Sequence, residues 1–433
     1  MIYLEEKILS LIIILLLAVP VFKSVKASNT LLNPLCMYFI FILFDILLPI
    51  LIASEFFHVN TLDSGFSRNA ILKSLIATFF GFSFFCIGYF FIINKNQEGN
   101  INTFKVELKI VYVVLIFFIS LYAYILYTII SDFSSLLAWA EHSSHYRWAV
   151  GLSGQSGDEK KYLVELMPFC RIIIFVLIGV VCKNSKNINL KILFLVSIGF
   201  IISATSFFRG TILVFAIGLY NIYSSKTRII GVDKKPGFDL KKLTFLLMPL
   251  FLFLLAGNVR SKLGSGFIGI DNNYSVIKEL QANIAGHGLY GISMIISHYP
   301  DKIGYFSGKT IIDMLLLPIP RSIYTSKPEW YGIDDITRKM GLPESSQTAV
   351  TMPGELIANF GMIGLPIMIL VGIFYGYAMI NCNKNNVIFY IYSFWVFQSI
   401  SIMNWMGFTG LINSIISLPP IALVLYPLLK KPK

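Results

Sequence analysis

The side chains able to do chemistry in this chain are few and sit beside turn-forming residues. Arg209 precedes Gly210 in SATSFFRGTIL, Arg260 follows Asn258-Val259, Arg321 follows Pro320, and Lys327 precedes Pro328. Guanidinium forks pair bidentately with phosphate oxygens, so arginines gathered at one membrane depth suit a phosphate-bearing ligand. Taken singly, Arg209 reads more readily as a snorkelling cation at a membrane boundary. Glu355, in Pro353-Gly354-Glu355 ahead of LIANFGMIG, is a general-base candidate. Equally, it can be a cap or first-turn acid stabilised by a helix dipole. The stretch 131–161 carries Trp139, Glu141, His142, His145, Tyr146, Arg147 and Trp148. That mixture suits sugar recognition through ring stacking, or an aromatic belt at a membrane interface, which is the commoner reason for Trp and Tyr in such a place.

Two further charges fall inside apolar runs, Asp45 and Arg171. A charge within a spanning helix needs a partner, which for Arg171 would be Asp45 or Glu165. Residues six apart are rotated about 240° around a helix, which disfavours a direct Glu165–Arg171 pair. The chain contains no P-loop and no dinucleotide glycine pattern. It has no Asp-x-Asp, no metal-ligand spacing and no serine nucleophile elbow, so no metal site is expected. The five cysteines lie in or beside apolar runs and offer no disulfide framework.

These residues must be positioned by a membrane bundle. The chain has 433 residues, of which 56% are hydrophobic and 13% charged, with mean hydropathy +0.73. Such composition excludes a soluble enzyme and a disordered chain. Continuous rather than alternating apolar runs exclude a membrane β-barrel. The pattern predicts an all-α, polytopic integral membrane bundle of about eleven spans: 8–22, 35–53, 70–93, 110–130, 162–182, 191–207, 211–223, 243–257, 363–382, 387–404 and 411–429. No cleavable leader is expected, because Glu5 and Glu6 precede the first run and no A-x-A site follows it. Gly372-x-x-x-Gly376 reads as ordinary close helix packing.

The net charge of +12 resolves into an orientation signal. Let 23–34, 94–109, 183–191, 224–242, 383–386 and 430–433 face the cytoplasm. They then hold 18 Lys/Arg against 4 Asp/Glu, whereas the opposite side holds 15 against 17. Positive-inside topology absorbs the whole basic excess, and nucleic acid is not needed to explain it. The C-terminus is then inside and the N-terminus outside. The chain divides into spans one to eight with the outer loop 131–161 (residues 1–257), a large outer loop (258–362) and spans nine to eleven (363–433). The large loop holds 9 basic and 9 acidic residues, and a loop of that size is usually functional. Within it, Thr310 to Ile319 is too short to span and reads as an interfacial or re-entrant helix.

Several of these positions are together similar to the O-antigen polymerase family (Wzy-type, oligosaccharide repeat unit polymerase). They are Asn33-Pro34, Phe208-Arg209-Gly210, Arg260, Ile319-Pro320-Arg321 with Lys327-Pro328, and Pro353-Gly354-Glu355-Leu356 followed by Asn359-Phe360-Gly361 and Gly364. Arg321 and Gly332 also match an Arg-x10-Gly spacing proposed for such loops. The likeness spans most of the chain and is strongest over 318–364. It implies a GT-C-like membrane glycosyltransferase of the bacterial inner membrane, working at the periplasmic face without metal or cofactor. The growing chain would pass from one undecaprenyl diphosphate carrier to the non-reducing end of a new undecaprenyl-diphosphate-linked unit. Lipid-linked oligosaccharides and the bilayer would be its partners, with a Wzz-type chain-length regulator and a flippase nearby. On this likeness Arg209, Arg260 and Arg321 neutralise the departing diphosphate, and Glu355 takes the acceptor proton, with His287 and His298 behind it. Lys327 would contact substrate, and Trp139, Arg147, Trp148, Trp330 and Tyr331 would contact sugars.

Two other readings compete. An O-antigen ligase shares the bundle-plus-outer-loop plan, but the PGE-x-x-x-NFG stretch favours a polymerase. A lipid-linked oligosaccharide flippase or transporter would have short loops and an internal repeat. The long loop 258–362 argues against it.

Overall fold

The structure, a computed structural model, describes residues 4–28, 33–52, 67–95, 107–130, 158–184, 190–204, 209–224, 287–316, 319, 323, 332–341, 349–384 and 386–429. Among these, all regular structure is helical. The first helices are α1 (Leu4–Ser28), α2 (Pro34–Ile42), α3 (Leu48–Ile52), α4 (Arg68–Lys95) and α5 (Leu108–Ile130). A π-helical turn, Leu43–Leu47, joins α2 to α3. Then come α6 (Asp158–Asn184), α7 (Leu190–Ala204), α8 (Arg209–Ser224), α9 (His287–His298), α10 (Lys309–Leu315) and α11 (Ile333–Lys339). The last are α12 (Met352–Phe360), α13 (Met368–Lys384), α14 (Asn386–Ile416) and α15 (Leu418–Leu429). A 3-10 helix, Gly361–Ile367, links α12 to α13.

Among the described residues, seven helical runs are long and apolar enough to cross a membrane, and α7 and α8 are shorter apolar helices. The first five, at Leu4–Val25, Pro34–Leu51, Arg68–Asn94, Leu108–Thr128 and Leu166–Asn184, lie where the hydropathy pattern expects spans. The expected span 243–257 lies outside the described residues. Two boundaries differ. The run expected to begin at 363 begins at Met352, because α12 and the 3-10 helix continue into α13. The two runs expected at 387–404 and 411–429 form one apolar stretch, Ile388–Leu428, interrupted at Gly407 within α14. Many large apolar side chains of α1 and α5 point outward, among them Phe22 and Val113, as helix faces turned to lipid do.

The chain divides into two compact units that cut across the sequence-based division at 257 and 362. One comprises 1–99, 280–381 and 399–416, and the other 100–279, 382–398 and 417–433. In the first unit, Asn33 caps α2, accepting from Cys36 N at 2.8 Å with Pro34 in the first turn. Its amide also donates to Ser24 Oγ of α1 at 2.7 Å. Arg68, opening α4, pairs with Glu5 and with Glu6 of α1, so these two helices start side by side. Strict alternation of spans one to three requires that arrangement. Rings fill the core between α2, α4 and α13: Tyr38–Phe85 centroids lie 5.0 Å apart and Phe85–Tyr375 5.9 Å. Tyr375 donates to Ser399 Oγ at 3.0 Å.

Helices α4 and α13 touch backbone to backbone, as small residues allow. A Cβ on Gly88 would run into the carbonyl of Ile369, and one on Gly372 into that of Phe85. Gly376 faces the Tyr89 carbonyl. Gly372→Val should therefore lower the stability of detergent-solubilised protein by about 1–3 kcal/mol or more, since no side chain can yield to it. The check is the temperature at which half the monodisperse peak is lost on size-exclusion chromatography after heating. An unchanged midpoint would contradict this packing.

In the second unit α6 is the central helix, packed on α5, α7, α8 and α15. Phe394 lies against Gly179 and Gly218, and Phe175 meets Phe215 at 4.6 Å. Asn221 of α8 donates to Ser393 Oγ at 3.0 Å. Lys183 covers the rings of Phe389 and Tyr390 at 4.7 and 5.3 Å.

Candidate functional site

The polar residues of the first unit converge around α12. Thr351 caps this helix, its hydroxyl accepting from Gly354 N at 3.2 Å, with Pro353 in the first turn. Thr351 does so at φ +56°, a strained conformation for a β-branched residue. Glu355 stands in the first turn, fully buried. Asn359 follows one turn later on the same face.

Glu355 is enclosed by donors. Thr310 of α10 donates to Oε1 at 2.9 Å. The backbone N–H groups of Phe408 and Thr409 donate to Oε2 at 2.5 and 3.4 Å. Asn359 completes the network: Nδ2 donates to Thr310 Oγ1 at 2.7 Å and to the Glu355 carbonyl at 2.8 Å. Its Oδ1 accepts from Gly308 N at 3.1 Å, while Phe306 N and Ser307 N bond the Ala358 and Asn359 carbonyls. The segment 306–310 is thereby fastened along α12.

The two backbone donors exist because α14 is broken. Gly407 has φ +61° and ψ −140°, which ends one helical segment and starts another. A helix restarting in an apolar interior exposes N–H groups that must find acceptors. Glu355 supplies a carboxylate at the positive end of the new helix dipole. Gly407 also lies so close to Glu355 Oε2 that no side chain fits there.

A second polar group lies in the same unit. Asp45 sits in the π-helical turn and is half-buried. Asn404, just before the break, donates to its Oδ2 at 2.6 Å. Gly288, in the first turn of α9, brings that helix close: its Cβ would stand 3.4 Å from Asp45 Cβ and 3.2 Å from Thr351 Cγ2. The neighbouring His287 meets the Trp405 ring edge-on at 5.4 Å. Burial pushes the His287 imidazole below its usual pKa, which keeps it neutral with one donor and one acceptor nitrogen. Burying a carboxylate within a span costs about 3 kcal/mol on insertion scales, so a solitary one marks function by default.

At the exposed end of α10, Lys309 reaches Asp313 and Asp335 at 3.0 and 3.1 Å. Partial burial opposes its charge, but the two carboxylates outweigh that and raise its pKa. Nearby, Lys339 lies over the Phe306 ring at 4.1 Å.

Of the residues singled out from sequence, Glu355 and His287 fall in one unit and are described, as is His298, whose Nδ1 lies 2.8 Å from the Met294 carbonyl. Arg209 opens α8, but its side chain is outside the described residues. Arg260, Arg321, Lys327, Arg147, Trp139, Trp148, Trp330 and Tyr331 also lie outside them. Of the pair expected between Asp45 and Arg171, Asp45 lies in the first unit, bonded to Asn404, and Arg171 in the second. Arg171, 5% exposed in α6, has no hydrogen-bond partner for Nε among the described residues, and the Glu165 side chain lies outside them. Of the stretch 310–319 expected to form a short helix, the part to Leu315 is helical in α10 (Lys309–Leu315), with Thr310, Asp313 and Met314 buried. The residues that sequence reading passed over are Thr310, Asn404, Trp405 and Gly407. A sign was available in MNWMGFTG, a polar, glycine-bearing interruption of an apolar run, which reads as an interhelical loop.

These features define a helical, membrane-embedded protein with a polar cluster inside its apolar bundle. No family model, curated protein or solved structure matches the chain.

Proposed function

We propose that this protein is a polysaccharide repeat-unit polymerase of the O-antigen type in the bacterial inner membrane. It would move a growing chain from undecaprenyl diphosphate to an undecaprenyl-diphosphate-linked unit at the periplasmic face. One observation carries the reading. Within the stretch most like that family, residues 318–364, the part from Pro353-Gly354-Glu355 to Asn359-Phe360-Gly361 is the centre of a buried polar network rather than a plain connecting loop. Embedded polar residues beside a broken helix mark a functional site in a membrane protein.

In this reaction an acceptor hydroxyl attacks the anomeric carbon, the bond to the diphosphate oxygen breaks, and the lipid diphosphate leaves with its electron pair. Arg209, Arg260 and Arg321 are the cations proposed to meet that developing charge, because fixed guanidinium groups stabilise it without reorganisation. Lys327, Arg147 and the aromatic residues Trp139, Trp148, Trp330 and Tyr331 are proposed to hold the oligosaccharide. Glu355 is fully enclosed by three donors, which favours its role as the acid that secures the restarted helix.

The test is a gene deletion complemented with wild type or single variants, read as a polysaccharide ladder. Wild type restores long chains to a strain left with single-unit glycolipid. Arg209→Ala, Arg260→Ala and Arg321→Ala should each reduce extension by about 100-fold or more, with membrane abundance near wild type. Long ladders from all three variants would remove the arginines from the mechanism. Loss of all capped glycolipid on deletion would instead indicate the ligase, and accumulation of untranslocated lipid-linked units the flippase.

A further inference from the structure

We propose that Asp45, held by Asn404 and packed against the start of α9, is a sugar-hydroxyl-binding site, and that its carboxylate receives the acceptor's proton. This inference rests on the polymerase reading and specifies its base.

Four observations converge. Asp45 lies on a π-helical turn between α2 and α3, a rare distortion that recurs at functional sites. It is half-buried, whereas Glu355 is sealed. Among the described residues Asn404 is its one hydrogen-bond donor, and no described cation of its unit pairs with it. That bond occupies Oδ2 and fixes the carboxylate plane, leaving Oδ1 able to accept from a ligand hydroxyl. Gly288 of α9 packs against Asp45, and the residues beside these partners, His287 and Trp405, are half-buried and in ring contact with each other. A carboxylate with an indole and an imidazole on the residues flanking its neighbours suits a pyranose, which offers an apolar C–H face and a rim of hydroxyls. Helix α9, which brings His287 here, belongs to the region that the charge pattern turns outward, the side on which the acceptor would arrive.

The chemistry balances without another reactant. The acceptor oxygen forms the new bond to the anomeric carbon as the carbon–oxygen bond to diphosphate breaks. The leaving diphosphate keeps that electron pair, and the acceptor's proton moves to Oδ1 of Asp45. Asn404 acts as a positioning residue, since its amide holds Oδ2.

The experiment uses the full chain in nanodiscs with lipid-linked oligosaccharide extracted from cells lacking the gene. Wild type, Asp45→Asn, Asp45→Glu, Trp405→Phe and Asn404→Ala are compared for chain extension, with monodispersity measured on the same samples. Asp45→Asn should lose about 100-fold or more in kcat while remaining monodisperse, with KM changed less than about threefold. Asp45→Glu should recover part of the rate, and Trp405→Phe should act mainly on KM. Near-normal extension by Asp45→Asn would overturn the assignment, as would an equal loss in Asp45→Asn and Asp45→Glu that tracks a loss of monodispersity. If wild type extends nothing, the polymerase reading itself fails, which is a separate outcome from an active Asp45→Asn.

Discussion

Glu355→Ala should be the most damaging single substitution in the first unit, and Glu355→Gln much milder. Alanine removes a fully buried acceptor and strands the N–H groups of Phe408 and Thr409 together with the Thr310 hydroxyl. Each buried donor left unsatisfied costs about 1–3 kcal/mol. The variant should therefore be depleted from membranes and should melt well below wild type in detergent. In Glu355→Gln an amide oxygen can still accept from Phe408 and Thr409, while the new NH2 group faces the Thr310 hydroxyl. That protein should accumulate within about twofold of wild type, because the buried donors keep an acceptor. The pair separates two roles. A carboxylate that secures the helix loses activity in proportion to stability. One that takes a proton directly loses activity in Glu355→Gln with stability intact, and that result would return Glu355 to the chemistry.

Gly407→Ala is expected to have the next largest effect. At φ +61° and ψ −140° an L side chain is strained by about 1–3 kcal/mol. The new Cβ would also collide with Glu355 Oε2 and crowd the Thr351 carbonyl at 3.0 Å, adding about 1–3 kcal/mol of overpacking. Gly341 provides the control, because it too has positive φ (+73°) but open space around its would-be Cβ. Gly341→Ala should cost only the conformational part, about 1 kcal/mol. Thermal midpoints of the two purified variants check this. Equal losses would mean that the Glu355 contact contributes nothing, and a larger loss at Gly407 supports the break as a built feature.

The two substitutions act on one junction. Gly407 creates the helix restart, Glu355 satisfies it, and the segment just before the break presents Asn404 to Asp45. Disturbing either should therefore reach the Asp45 cluster without touching it. Chain extension lost in Gly407→Ala at a temperature where the protein is still monodisperse would be the sign of that coupling.

Much about this protein can be read along the chain. Runs such as 8–22 and 70–93 announce themselves because spanning lipid demands some twenty apolar residues in sequence, a local requirement. Asn33-Pro34 marks a helix start for the same local reason, and Gly372-x-x-x-Gly376 marks a close helix contact because only small residues permit one. Glu355 stood out as an acid in a glycine-rich setting, although whether it was base or cap was undetermined. Its surroundings are not local, since Thr310 and Phe408 come from 45 and 53 positions away. Asp45 and Asn404 are 359 positions apart. Hydropathy is a property of neighbours in sequence, whereas the satisfaction of a buried polar group is a property of neighbours in space. The break at Gly407 shows the difference: its glycine was visible, but a turn between two spans and a restart within one helix have the same local composition. Only the packing of α12 against that point selects the restart, by providing the carboxylate without which its N–H groups would be orphaned.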